Sequence, residues 1–219
     1  GGIPHELGSA GFGVYHSTLV ALKYLKKDVK EITFAVEGFG NVGEFVAQYL
    51  CEAGAKMVGV SDSRGVLVYP EGIDFTRLKK VKKQKGSVTA YGKGKVLEGN
   101  KILDVSCDVL ITAAVKDLIS MKDVSRLRCS LIVEGSNIPM SHATEEALHA
   151  KGILVIPDFV ANAGGVISSY VEYKGGSVKE MWKLVEQKVV KNTKLVLLEN
   201  GKCPRCVADA IVRKRILGK

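Results

Sequence analysis

The chain has 219 residues, of which 46% are hydrophobic and 25% charged, and 32 basic against 23 acidic residues give it a net charge of +9. This composition is typical of a globular chain and excludes a disordered, collagenous or fibrous protein. No apolar stretch approaches the roughly 20 residues that span a bilayer, and the first residues lack the build of a signal peptide, so we expect a soluble, cytoplasmic protein without membrane contacts.

Short apolar runs rich in β-branched residues alternate with stretches of helical periodicity. The predicted strands are 32–36, 56–60, 109–112, 131–133 and 153–156. They are apolar without strict alternation, as strands buried on both faces of a parallel sheet should be. The predicted helices are one that follows Gly11 and three others, 41–53, 178–200 and 204–217. The sequence therefore predicts an α/β fold, a doubly wound and mostly parallel sheet, in one domain over residues 1–219.

A glycine-rich segment lies between the first predicted strand and the following helix and has the pattern G-x-G-x-x-G. In such a loop the first glycine allows a tight turn, the second lets a pyrophosphate approach the backbone, and the third brings helix close to strand. The helix start adds free N–H groups and partial positive charge. In a Rossmann-like fold, we predict that the pyrophosphate of a dinucleotide is bound by Gly38, Phe39, Gly40, Asn41, Val42 and Gly43.

Asp62 and Ser63 follow the second predicted strand, 19 residues after Gly43. A carboxylate there can accept hydrogen bonds from the adenosine ribose hydroxyls, which completes the dinucleotide fingerprint. Alternatively, Asp62 shapes an Asx turn before Gly65. Because the guanidinium of Arg64 can hold a 2′-phosphate, the pattern places NAD ahead of NADP as the cofactor without excluding NADP.

Small and amide side chains follow the later strands, where doubly wound sheets bind their ligands. Ala113 and Ala114 would let a ribose lie against the backbone, or they serve only tight packing. Asn137 follows the next strand, and its amide can both donate and accept hydrogen bonds. Asn162 precedes two glycines at a helix start, where its amide suits the carboxamide of nicotinamide or simply caps the helix.

Five cysteines, an odd number, favour a reducing compartment over a disulfide framework. Only Cys203 and Cys206 have metal or redox spacing, and the sequence offers neither a second pair nor a nearby histidine to complete four zinc ligands. His142 is interpreted as a surface or packing residue. We therefore predict ordinary thiols and no metal site.

Much of the positive charge lies in two stretches, 79–85 and 213–219. We interpret them as solvated helix faces and a frayed C-terminus, because no aromatic residues alternate with the charges as they do on many nucleic-acid surfaces. We therefore expect no nucleic-acid partner, and binding of nucleic acid driven by charge is kept only as a third hypothesis.

Taken together, these segments resemble the cofactor-binding half of the amino-acid dehydrogenases, most closely the glutamate dehydrogenases. The resemblance runs through residues 1–2, 11–14, 38–43, 60–63, 109–114, 133–139 and 162–173. It implies an oxidoreductase for NAD(P)-dependent oxidative deamination, with glutamate and 2-oxoglutarate as substrates. Ser169 matches a serine that holds the distal carboxylate of glutamate, and Val166 matches a wall of the substrate pocket.

Two departures from the family pattern stand at the beginning of the sequence. Glu6, Gly8 and Ala10 replace the Arg, Glu and Thr that the family usually has, and we expect weaker cofactor or substrate binding from this. The substrate domain that supplies the family's catalytic lysines and acid is also missing from the sequence.

We therefore assign no catalytic residue within 1–219 and expect the isolated chain to bind dinucleotide without turning over. The resemblance implies a homo-hexameric parent protein, whereas we expect this piece to be a monomer or weak dimer. The alternative is a stand-alone dinucleotide sensor, or an inactive paralogue that acts with a partner.

Overall fold

The computed structural model describes residues 7–99, 101–199 and 201–218. Its strands are β1 Thr33–Glu37, β2 Lys56–Asp62, β3 Gly65–Val68, β4 Lys95–Leu97, β5 Val109–Thr112, β6 Leu131–Glu134 and β7 Leu154–Ile156. Its helices are α1 Ser9–Tyr24, α2 Asn41–Glu52, α3 Phe75–Lys85, α4 His142–Ala150, α5 Asp158–Ala161, α6 Gly164–Tyr173, α7 Val178–Val196 and α8 Pro204–Leu217. The strands that the structure describes form one sheet in the order β4-β3-β2-β1-β5-β6-β7.

Five neighbouring strands of this sheet run parallel, in the order β2, β1, β5, β6 and β7. Next to β2, the strands β3 and β4 extend the sheet in antiparallel fashion. The predicted doubly wound, mostly parallel architecture is confirmed. The chain leaves β1 through α2 to reach β2 on one side and later returns to the other side of β1 as β5. Because β1 and β5 are paired in parallel with Glu37 opposite Thr112, their carboxyl ends meet at one edge. Doubly wound sheets bind ligands in the crevice at such a reversal of strand order.

The central strand β1 is buried on both faces. Phe34 and Val36 belong to a large apolar cluster with residues of α1 and α2, such as Leu22 and Leu50. The side chain of Ala35 points to the opposite face, in a second apolar cluster. Burial on both sides explains the unbroken apolar run in the sequence and fixes the position from which the glycine loop departs.

The observed bounds differ from the predicted ones mostly by one or two residues. α1 begins at Ser9, before Gly11, and α7 ends at Val196, while the end predicted near Asn200 falls outside the described residues. The sequence does not predict the two antiparallel strands β3 and β4. No helix in the described ranges is long and apolar enough to cross a bilayer.

The basic stretch 79–85 lies on α3, and most of its lysines are exposed, as predicted. Lys79 pairs with Glu44 at 2.8 Å. Lys82 is the exception to a purely solvated face, because its ammonium lies 2.6 Å from a carboxylate oxygen of Asp62. This inward-facing lysine contributes to the site described next.

Candidate functional site

The loop from Gly38 to Gly43 joins the buried end of β1 to the first turn of α2. Gly38 has a φ of +88°, a backbone conformation that glycine adopts without strain, and a Cβ there would overlap Ala114. A Cβ on Gly43 would overlap the carbonyl oxygen of Gly38. The tight turn and the close approach of helix to strand that the pattern predicts are therefore both present.

Gly40 lies between them in a backbone conformation open to any residue, with φ −99° and ψ −158°. It is exposed, and a Cβ built on it would meet no atom within 4 Å. Gly40 is also the N-cap of α2 and offers no side chain to its first N–H groups. The fold itself does not need glycine at this position, whereas a ligand that approaches the helix N-terminus does.

An open groove of about 320 Å³ lies in front of this loop, at the carboxyl ends of β1, β2 and β5. The predicted site residues that line it are Gly38, Phe39, Gly40, Asp62, Ser63 and Ala114. The side chain of Phe39 is buried and packs near Phe75, so its backbone faces the groove. Val42 and Gly43 lie behind the loop, where Val42 packs against the core. Asn41 begins α2, directly beside the groove.

The carboxylate of Asp62, at the end of β2, is occupied by contacts within the chain. Oδ1 accepts hydrogen bonds from the Arg64 N–H at 2.9 Å and the Ser87 hydroxyl at 3.2 Å. Oδ2 accepts from Nζ of Lys82 at 2.6 Å and the Val88 N–H at 2.8 Å. Burial opposes ionisation, but these bonds outweigh it and hold the pKa of Asp62 below its ordinary value. With four bonds and a side chain only 5% exposed, little acceptor capacity remains for a ribose.

The bond from the Arg64 N–H is the Asx turn of the alternative interpretation. The surroundings of Asp62 are basic, because Lys82 lines the groove and Arg64 lies exposed beside it. The Arg64 guanidinium donates to the carbonyl of Lys85 at 3.4 Å, and Ser63 exposes its hydroxyl. Lys82 therefore pairs with the carboxylate, and the exposed Arg64 adds a second positive charge at the end of β2.

Glu37, the last residue of β1, is a part of the site that the sequence interpretation missed. Its buried carboxylate accepts hydrogen bonds from the N–H groups of Ala113 and Ala114 at 3.0 Å each and of Val115 at 3.2 Å. Burial raises the pKa of Glu37, although these bonds oppose the shift. The carboxylate fixes the loop after β5 to the end of β1 and uses the amides of both alanines. The one signal in the sequence is an acidic residue between an apolar strand and a glycine loop.

Asn137 and Asn162 lie together at the same edge of the sheet, beyond β6. Nδ2 of Asn162 donates to Oδ1 of Asn137 at 2.8 Å and to the Gly135 carbonyl at 3.3 Å. The alternative that Asn162 caps α6 is wrong, because the N-cap is Ala163 and the Asn162 amide faces Asn137. The structure thus pairs the two predicted amides, next to the groove on the β6 side.

Comparison with known proteins identifies the family. The sequence profile of the glutamate/leucine/phenylalanine/valine dehydrogenases matches residues 1–199. The chain belongs to this family. The glutamate dehydrogenase of Aeropyrum pernix is 43% identical over 203 residues, which cover 90% of this chain and 49% of that protein. The NADP-specific glutamate dehydrogenase of Saccharolobus shibatae is 40% identical over 173 residues, 79% of this chain and 41% of that protein.

The fold of the family is also evident among solved structures. The hetero-hexameric glutamate dehydrogenase from Thermus thermophilus, in its Leu-bound form, superposes with a TM-score of 0.85 over 95% of this chain and 51% of that chain. At 24% identity, this likeness shows a shared fold. The chain therefore spans about half the length of the relatives that it matches.

Val166 and Ser169, which the family resemblance assigns to the substrate, lie on one face of α6. Val166 is 77% exposed, and the Ser169 hydroxyl bonds only the Gly165 carbonyl of its own helix, at 3.3 Å, among the hydrogen bonds of the described residues. Both side chains are thus accessible, and their contact with substrate stays a prediction.

Of the residues that depart from the family pattern, Gly8 is the N-cap of α1 with φ +76° and Ala10 lies in its first turn. A Cβ on Gly8 would overlap the ring of Phe45, so this glycine is needed where it stands. Glu6 and the matching residues Gly1 and Gly2 lie outside the described residues.

The interpretation of Cys203 and Cys206 as thiols without a nearby histidine is wrong. The first residue of α4, His142, places Nε2 3.2 Å from Sγ of Cys206. Separation along the chain concealed this contact, because α4 and α8 meet only in the folded chain. The described cysteines all carry free thiols.

Proposed function

We propose that this chain is the dinucleotide-binding part of an NAD(P)-dependent amino-acid dehydrogenase that acts on glutamate. The observation that carries the proposal is the open groove at the end of β1, with Gly40 and the uncapped start of α2 on its wall. A pyrophosphate in this groove would meet backbone N–H groups and the positive end of the α2 dipole. Family membership supports the reaction class.

The residues around the groove suit the two halves of a dinucleotide. Ser63 and Lys82 lie where the adenosine end would extend past β2, and the Asn137–Asn162 pair lies where the nicotinamide carboxamide would find a donor and an acceptor. When bound, the nicotinamide supplies a hydride acceptor or donor. Glu37 supports this arrangement by holding the loop after β5 in place.

We propose that the groove binds NADP at least as tightly as NAD. The sequence pattern places NAD first because of Asp62, but in the folded chain that carboxylate is paired with Lys82 and saturated with hydrogen bonds. A 2′-phosphate would meet the cations Lys82 and Arg64, whereas the free hydroxyl of NAD finds few acceptor sites left on Asp62. The charge balance at the end of β2 therefore favours the anionic ribose.

Calorimetric titration of the chain with NAD and NADP at fixed ionic strength tests both the proposed dinucleotide binding and the proposed cofactor preference. Lys82→Met removes a cation and leaves the Asp62 charge uncompensated, so NADP should bind at least about tenfold more weakly, equivalent to about 1.4 kcal/mol. Lys83→Met, an exposed lysine of the same helix, is the matched control and should change neither affinity. Binding of neither dinucleotide would overturn the proposed function. NAD binding tenfold tighter than NADP would overturn only the cofactor preference.

The substrate is tested in the complete protein that contains this chain. Ser169→Ala removes a hydroxyl proposed to bind the distal carboxylate of glutamate, a charge-assisted hydrogen bond of about 1.5–3 kcal/mol. We expect kcat/KM for glutamate to fall about 10- to 150-fold while cofactor affinity is unchanged. Unchanged kcat/KM would contradict the assignment of Ser169.

Assembly is tested separately from activity. We propose that the complete protein is a homo-hexamer and the isolated chain a monomer or weak dimer. Light scattering during size-exclusion chromatography measures both masses, and a stable hexamer of the isolated chain would contradict the proposal.

A further inference from the structure

A cluster of metal-binding side chains lies away from the dinucleotide groove, between α4 and α8. It consists of His142 at the start of α4, Cys203 at the N-cap of α8 and Cys206 in the first turn of α8. One nitrogen of the histidine and the two sulfur atoms all lie within 4.8 Å of one another. Both cysteines lie beyond residue 199, where the match to the family profile ends.

The spacing of these atoms suits a tetrahedral zinc ion. With Zn–S bonds of about 2.3 Å and Zn–N bonds of about 2.0–2.1 Å, two sulfur ligands lie about 3.8 Å apart and a nitrogen and a sulfur about 3.5 Å apart. Nε2 of His142 and Sγ of Cys206 are 3.2 Å apart. A fourth donor is at hand, because Oε1 of Glu146 lies 3.9 Å from Sγ of Cys206 and 3.8 Å from Nε2 of His142.

The fold holds these donors in place and leaves one side of the cluster open. Cys203 is 6% exposed, whereas His142 and Glu146 are exposed and allow an ion to enter from solvent. Arg205, between the two cysteines, anchors the first turn of α8 by donating hydrogen bonds to three buried carboxylates, those of Glu134, Glu145 and Asp158. The cysteines therefore face α4 without needing a metal to bring them there.

We propose that His142, Cys203, Cys206 and Glu146 bind one Zn²⁺ ion that joins α4 to the start of α8. Thiolate and imidazole are ligands that zinc prefers, and a set of four protein ligands is typical of a structural site. Binding releases the two thiol protons to solvent and involves no change of oxidation state. Because the site exists only in the folded chain, the ion stabilises that chain by mass action.

The test uses the full chain, reduced with a phosphine and freed of metal by a chelator. One equivalent of Co²⁺ should produce a thiolate-to-cobalt charge-transfer band and the visible bands of a tetrahedral ion, and Zn²⁺ should displace it one to one. Removing a residue that only hydrogen-bonds a zinc ligand costs about 10- to 100-fold in affinity. Removing a ligand itself should cost more, so we expect His142→Ala and Cys206→Ser each to weaken zinc binding at least about 100-fold. Cys51→Ser, which removes a partly buried thiol of α2, is the matched control and should change nothing.

If a cysteine variant fails to fold, His142→Ala still tests the proposal, because the His142 side chain is exposed and its removal should not disturb the core. Zinc bound at much less than one ion per chain, or cobalt bound without the charge-transfer band, would overturn the proposal. Equal affinity in His142→Ala would also overturn it. A Cys203–Cys206 disulfide in the untreated protein, together with no zinc uptake after reduction, would identify the pair as a redox couple instead.

Discussion

Replacing Gly40 by valine should strongly weaken dinucleotide binding while leaving the fold intact. The backbone of Gly40 lies in a region that valine adopts readily, and its Cβ direction is free of atoms within 4 Å. The loss of stability should be limited to about 1 kcal/mol, because glycine is a better N-cap than valine but no packing contact is lost. In the complex, however, the new side chain would stand where the pyrophosphate has to approach the backbone.

The expected loss of affinity follows from the hydrogen bonds that the pyrophosphate cannot form when the valine side chain keeps it away from the backbone. Two hydrogen bonds from the N–H groups at the start of α2 to a charged phosphate contribute about 1.5–3 kcal/mol each. Their loss sums to about 3–6 kcal/mol, or about 10²- to 10⁴-fold in the dissociation constant.

Calorimetry with NADP measures the affinity, and urea unfolding measures the free energy of unfolding of the same variant. Gly43→Ala is the contrasting variant, because its Cβ would overlap the Gly38 carbonyl, and it should lose stability outright. Gly40→Val with an affinity within tenfold of the wild type would refute the proposed position of the pyrophosphate. A large loss of stability in Gly40→Val would refute the geometry of the loop.

Three further predictions concern the buried acids. Glu37→Gln places an amide donor against the N–H groups that the carboxylate accepts, so urea unfolding should show a loss of about 1–3 kcal/mol, and an unchanged midpoint would contradict this role. Arg205→Met removes the cation and the hydrogen-bond donors that three buried acids share and should cost about 3–5 kcal/mol at pH 7; an unchanged free energy of unfolding would contradict this role. Burial raises the pKa of both Glu134 and Glu145 above the ordinary value of 4.5, and repulsion from the neighbouring acids raises that of Glu134 further. The folded chain therefore keeps protons that the unfolded chain releases, and stability should fall as the pH rises from about 5 to 8, by at most about 1.4 kcal/mol per unit and proton. A profile that rises over this range, or one that Glu134→Gln does not flatten, would contradict the assignment.

The sequence predicts the parallel strands well because each is buried on both faces and so forms a continuous apolar run. It does not predict β3 and β4, because these short antiparallel strands take their pairing from β2 and from each other. Gly65, which begins β3 with φ +147°, looks like part of a turn when only local sequence is considered.

In the candidate site, too, features set by neighbouring residues are predictable from the sequence, whereas contacts between distant residues are not. The turn at Gly38 and the helix start after Gly40 are encoded within six residues, and both are present as predicted. Of the partners of Asp62, the Arg64 N–H is encoded locally as an Asx turn, whereas Lys82 comes from α3, 20 residues away. For the same reason, no local pattern could bring His142 to the cysteine pair of α8.

The most direct test of the proposed dinucleotide site is a titration of the isotope-labelled chain with NADP, in which the backbone amide resonances are monitored. The central claim is that a diphosphate lies on the N–H groups at the start of α2. It predicts that the amides of Gly40, Asn41 and Val42 shift most, in a saturable manner. Saturable binding that leaves these three amides unmoved, or the absence of any binding to the folded chain, would contradict the claim.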